Sequence, residues 1–210
     1  IANETGVHLW DVLTLSQGVY ASLSSGDRAR AARYLEAMAG RLIAGRTLDM
    51  AFYHWLCGLH QIMGDDFGQA ASSIETALRL AQDSGALIHA AAMKCDMAWV
   101  YANRGDTAGA ARLANELRRT AGEMHSPTLE YLSWLAEAEI ARKRGDIGGC
   151  VAALRRNLEI GCAINLKNHT NGSVTGLAQL YAIALDHDIE TDYVCAMIKR
   201  RALHPPPEAE

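Results

Sequence analysis

The residues of this chain best equipped for chemistry are His54, Cys57 and His60, two imidazoles and a thiol at successive spacings of three. On a helix such steps bring side chains toward one broad face, and imidazole and thiolate are the ligands zinc favours. A structural zinc site needs four ligands. No fourth accompanies these three, so packing or a ligand groove suits them better than metal. His187 and Asp188 form a possible acid–base pair, but adjacent residues on a turn do not aim at a common reacting atom. Asp188 reads instead as the cap of the following helix. The remaining His and Cys residues are scattered, and no nucleophile, base and acid group together. Neither G-x-x-x-x-G-K-[ST] nor G-x-G-x-x-G occurs, so a nucleotide site of either glycine-loop type is not expected. The expectation is a non-catalytic chain with no cofactor and no metal.

The elements that must position these residues are announced by a recurring dipeptide. Gly-Asp stands at Gly26-Asp27, Gly64-Asp65, Gly105-Asp106 and Gly145-Asp146, at intervals of 38, 41 and 40 residues. Gly reaches the left-handed conformation beyond a helix end without a Cβ penalty, and the Asp that follows can cap the next helix. Four such turns in register predict a stack of helical hairpins. Composition agrees: half of the 210 residues are hydrophobic and four are Pro. Runs such as Ala90-Ala91-Ala92 favour close helix packing.

A formal charge of −4 and a pI near 6.1 give no global field for nucleic acid, so direct nucleic-acid binding is not expected. Five cysteines, an odd number without a C-x-x-C pair, read as reduced packing residues and place the chain in the cytoplasm. No apolar stretch is long enough for a bilayer, and no signal peptide is evident. Asn3-Glu4-Thr5, Asn168-His169-Thr170 and Asn171-Gly172-Ser173 match the glycosylation sequon, but without secretion they are chance matches. Ile1 in place of an initiator methionine suggests an excised fragment.

Apolar spacing then sets an all-α chain with one helical-repeat domain over 1–203, in hairpins at about 7–45, 47–84, 86–125 and 127–164 with a divergent terminal hairpin at 173–203. The first helix is expected from about His8 to Ser24, and its partner through Ala31, Leu35, Met38 and Leu42. Ser126-Pro127 opens the fourth hairpin, since Pro suits the first position of a helix. Asn165 to Gly172 is a polar interruption. His187-Asp188 stands where a fifth Gly-Asp would fall. Lys199, Arg200 and Arg201 close the last helix with cations favourable to its dipole, and 204–210, with Pro205-Pro206-Pro207, reads as a linker.

Aligned on the Gly, the hairpins resemble tetratricopeptide repeats, with a period near 40 rather than 34 residues. Val19, Cys57, Ala98 and Ala138 stand at the small crossing position of the first helices, and Ala31, Ala70, Ala110 and Cys150 at that of the second. Trp134 holds the consensus tryptophan, Tyr53 substitutes for it, and Tyr101 holds the consensus tyrosine. The long period, the Ala-rich helices and the basic end Lys199-Arg200-Arg201-Ala202-Leu203-His204-Pro205-Pro206 resemble the helical-repeat region of bacterial MalT-like transcriptional regulators, in which an ATPase module precedes the repeats and a DNA-binding or bacterial transcriptional activation domain accompanies them.

This resemblance implies a right-handed solenoid of antiparallel hairpins whose first helices line a concave groove. It places Tyr20, His54, Gln61, Trp99, Asn103, Glu139, Arg142 and Tyr181 toward that groove. Aromatic planes with interspersed donors and acceptors suit a small-molecule inducer, a peptide or a protein. The aromatics could equally fill space between repeats. Arg28, Arg30, Arg33, Arg41 and Arg46, with Arg118, Arg119, Arg155 and Arg156, read as solvated faces or as docking points for other domains of the same regulator. The resemblance thus implies a ligand-sensing or protein-interaction region of a cytoplasmic transcriptional regulator. A free-standing interaction scaffold is the alternative.

Overall fold

The computed structural model describes residues 10–206, and among them ten α-helices and no strand occur. They pair in chain order: α1 (Asp11–Ser24) with α2 (Arg28–Ala39), α3 (Thr47–Met63) with α4 (Phe67–Asp83), α5 (Leu87–Asn103) with α6 (Thr107–Glu123), and α7 (Pro127–Lys143) with α8 (Ile147–Ala163). A terminal pair, α9 (Val174–Asp186) and α10 (Thr191–Arg200), follows a non-helical stretch. The expected helix start near His8 and linker residues 207–210 lie outside the described residues. The helix α2 stops at Ala39, three residues short of Leu42.

Each hairpin turn is built the same way. The N–H of Asp27, Asp66, Asp106 and Asp146 closes onto the carbonyl five residues back, at 2.9, 3.0, 2.9 and 3.0 Å. The same four carboxylates accept from the N–H of Arg30, Gln69, Gly109 and Gly149, at 2.9, 3.1, 2.8 and 2.8 Å. One Asp thereby follows a finished helix and caps a new one. Gly26, Gly105 and Gly145 take left-handed φ of 79°, 90° and 73°, as the repeated dipeptide requires.

Gly64 departs from that expectation. Its φ is −98°, and Asp65 takes the left-handed place at φ 58° while Asp66 caps. The chain reads Gly64-Asp65-Asp66, so two Asp residues compete for the cap. The helix runs one residue further and buries both Ile62 and Met63. Asp tolerates the left-handed region better than most residues. The true hairpin register is therefore 26, 65, 105 and 145. Turns between hairpins repeat equally, with left-handed Gly45, Gly85, His125 and Asn165 each 40 residues apart.

The one-residue shift also moves the helix crossing. Gly58, not Cys57, matches Val19, Ala98 and Ala138, and a Cβ there would lie 2.5 Å from Ile74 Cγ1 of α4. Cys57 is half-buried. The small residues of the second helices, Ala31, Ala70, Ala110 and Cys150, are fully buried as expected. At the decayed fifth turn Asp188 does not cap. It occupies the left-handed position at φ 49°, and Glu190, without a side-chain cap bond, precedes α10.

Consecutive helices pack against one another, and α1 packs on α3 and α5 on α7, so first helices form one layer. Chain segments 165–173 and α9–α10 lie against that layer. Thr175 Oγ1 donates to Asp65 Oδ2 at 2.8 Å, and Asn171 Nδ2 donates to Asp96 Oδ1 at 2.7 Å. A Cβ on Gly176 would lie 2.6 Å from the Trp99 ring and 3.5 Å from Glu139, and one on Gly26 would lie 2.6 Å from the Arg201 carbonyl oxygen. One terminal stretch thus touches all four hairpins. Tyr20, Trp55, Ile88 and Leu129, one from each first helix of the four hairpins, line a single cavity against this segment, so this face is concave and is partly filled by the chain itself.

Candidate functional site

The polar interruption 165–173 is the key element. It leaves α8 through left-handed Asn165 and re-enters helix at Ser173, whose Oγ accepts from the Gly176 N–H at 3.1 Å. Between them His169, Thr170, Asn171 and Ser173 are buried. Burying an irregular polar segment requires internal partners. Arg201, itself buried at the end of α10, supplies them: its Nη1 donates to the carbonyls of His169 and Asn171 at 3.2 and 3.1 Å. The His169 ring lies 3.3 Å from Tyr181 Oη through Nε2 and edge-on to Tyr131. Burial first, then the neighbouring Arg201 guanidinium, pushes its pKa well below the ordinary value, so the imidazole is neutral.

On the facing layer stands Asp96, fully buried in α5. Trp55 Nε1 donates to its Oδ2 at 2.8 Å and Asn171 to its Oδ1. Burial raises its pKa to about 7, against the pull of those two hydrogen bonds. Asp96 therefore ties α3, α5 and the 165–173 segment together at one point.

Beside this tie the concave face remains open as a cavity of about 320 Å³. Tyr20, Trp55, Ile88, Leu129 and Leu132 give it an apolar wall from four first helices, and Leu166, Asn168, His169 and Asn171 close its other side. A neighbouring cavity of about 250 Å³ shares Tyr20 and Trp55 and adds Phe52, Leu56 and His89. Phe52 and His89 meet edge-on with ring centroids 4.8 Å apart. Aromatic walls with a few convergent polar groups are the usual features of small-molecule sites.

The eight groove candidates divide. Tyr20 lines both cavities. Trp99 and Tyr181, expected to face the groove, are 1% and 0% exposed and belong to the core: Gly172 and Gly176 pack over Trp99, and Tyr181, on α9 itself, meets the buried His169. Asn103, Glu139 and Arg142 do come together, as a network within the protein rather than an open ligand clamp. Asn103 Nδ2 and the Arg142 guanidinium donate to the buried Glu139 carboxylate at 2.7–2.9 Å. His54 and Gln61 lie toward α4. Gln61 faces Gln69 and Ser73, and His54 is half-buried beside Tyr53, with Arg79 near enough to help lower its pKa after burial.

The misplacement of these two has one cause. A shift of one residue rotates a helix by about 100°. Counted from Asp65 instead of Gly64, Trp55 replaces His54 in the alignment, and Trp55 is the aromatic that lines the cavity. Asp96 also escaped notice. Its signal was available: it is the single acid in the largely apolar stretch from Leu87 to Val100, whose other polar residues are His89 and Lys94. His54, Cys57 and His60 do not converge on a metal, and among the described residues no three His, Cys, Asp or Glu side chains gather in a way that could hold one.

No helix among the described residues is long and apolar enough to cross a membrane. No protein-family model matches the chain, and comparison with curated proteins finds no match.

Proposed function

We propose that this chain is the ligand-sensing region of a larger transcriptional regulator, a right-handed tetratricopeptide-like solenoid without catalytic activity, similar in role to the repeat region of MalT-like proteins. The cavity between Tyr20 and Trp55 on the concave face carries this reading. Its far wall is the 165–173 segment, which is bound to α10 through Arg201. A ligand seated there contacts the first helices and the segment tied to the terminal hairpin at once. Differential affinity for two placements of that hairpin would shift their populations and so alter contacts with neighbouring domains.

A free-standing interaction scaffold is the second reading. Ile88, 61% exposed on the cavity wall, and its chain neighbour Leu87, 64% exposed, favour it, because a protein partner would cover both.

A thermal-shift screen of metabolites and short peptides, repeated on Leu132→Trp to fill the cavity, tests the site. Hits should disappear in the variant while its melting stays close to that of the parent. Hits that persist place binding elsewhere and remove the basis for the sensing role.

A further inference from the structure

The walls of the two joined cavities have a common property: among the described residues that line them, none is Asp, Glu, Lys or Arg. Two ionisable groups lie behind the wall without lining either cavity. Asp96 has Trp55 on one oxygen and Asn171 on the other, and Arg201 gives its Nη1 to backbone carbonyls of the segment while its Nε and Nη2 are buried without a protein partner. His169, which does line the cavity, is held neutral by burial and by Arg201. The inner polar atoms are also committed: Trp55 Nε1 and Asn171 Nδ2 to Asp96, and the two His169 nitrogens to Tyr181 and Arg201. Exposed polar side chains stand at the mouth of the larger cavity, those of Asn168 and Thr128, and on the smaller one, that of Gln17.

An ion entering such a space loses its hydration and gains no opposite charge, which costs several kcal/mol. A neutral apolar body loses nothing comparable and gains from burial against aromatic and aliphatic side chains. Building on the sensing site proposed above, we propose that the cavity takes an uncharged small molecule with a flat or ring-shaped apolar body and one neutral polar group. The body sits between Tyr20, Trp55, Leu129 and Leu132, and the polar group points out toward Asn168 and Thr128.

Three probes that share a ring system and differ in charge test the assignment: 2-naphthamide, 2-naphthoate and 2-naphthylmethylammonium, titrated calorimetrically into the whole chain near pH 7.5. The amide should bind, and both ions should bind at least about tenfold more weakly, a difference of ~1.4 kcal/mol. Leu132→Trp should weaken amide binding by a similar factor. Ala92→Phe, at a half-buried position on the same wall, does the same should the first variant fold poorly. An ion that binds as tightly as the amide overturns the uncharged class and leaves the site standing. Amide binding unchanged in both variants, or no heat from any probe up to about 1 mM, overturns the site as well.

Discussion

Asp96 is the residue on which the concave face turns. A buried carboxylate that accepts from a tryptophan and an asparagine is stabilised by both bonds, yet its burial still lifts the pKa to about 7 from the ordinary 3.8. Because the folded value is the higher one, Asp96 adds stability that is full below about pH 4 and is lost as pH climbs through 7. His169 runs the other way. Its folded pKa is depressed, so its contribution is present above about pH 6.5 and fades as pH falls. Comparing the parent with Asp96→Asn isolates the first effect. Urea unfolding at pH 4.5 and pH 8 should show the parent losing stability relative to the variant as pH rises, by at most about 4 kcal/mol at ~1.4 kcal/mol per pKa unit. A difference between the two proteins that does not vary with pH would mean that Asp96 titrates normally.

The turns, at the scale of elements, distinguish two kinds of glycine. Gly105 has φ 90° and open space where a Cβ would be, so Gly105→Ala should cost about 1–2 kcal/mol from backbone strain alone. Gly64 has an ordinary φ, and the atoms nearest a Cβ there would be the guanidinium tip of Arg28, a flexible side chain able to move. Gly64→Ala should be close to neutral, since the smaller unfolded-state entropy offsets the contact by about 0.4–1 kcal/mol. Denaturation midpoints of the two variants decide it. Equal losses would return Gly64 to the left-handed role that the dipeptide suggests.

For the whole molecule, the question is how firmly the terminal hairpin is held in the concave face. Arg201 is the anchor, since its Nη1 reaches two carbonyls of the 165–173 segment from the end of α10. Its bonds hold an irregular segment, whereas α3 to α8 are held chiefly by helix packing within the shared hydrophobic core. Arg201→Met keeps much of the volume and removes those bonds. Hydrogen exchange should then speed up in residues 165–173 and α9, with α3 to α8 unchanged. Uniform acceleration along the chain would show that the hairpin is an inseparable part of one cooperative unit.

The sequence by itself determined the all-α class, the hairpin period and the small residues at the second-helix crossings, because each follows from local rules: helical apolar spacing, left-handed glycine and an Asp cap. It erred where two local solutions were nearly equal. Gly64-Asp65-Asp66 can form the turn one residue earlier or later, and burial of Met63 chose the later one, rotating the reading of α3 from Trp55 to His54. Tyr20 was found because its own turn at Gly26 was read correctly. The fate of Trp99, Tyr181 and Glu139 was decided only by tertiary structure. Their exposure depends on whether residues 165–173 fold back over them, and that depends on Asn171 meeting Asp96 and Arg201 meeting the segment's carbonyls. Contacts between residues 30 and 75 positions apart leave no periodic trace in a chain, because they are set by the curvature accumulated over four hairpins rather than by any neighbour in sequence.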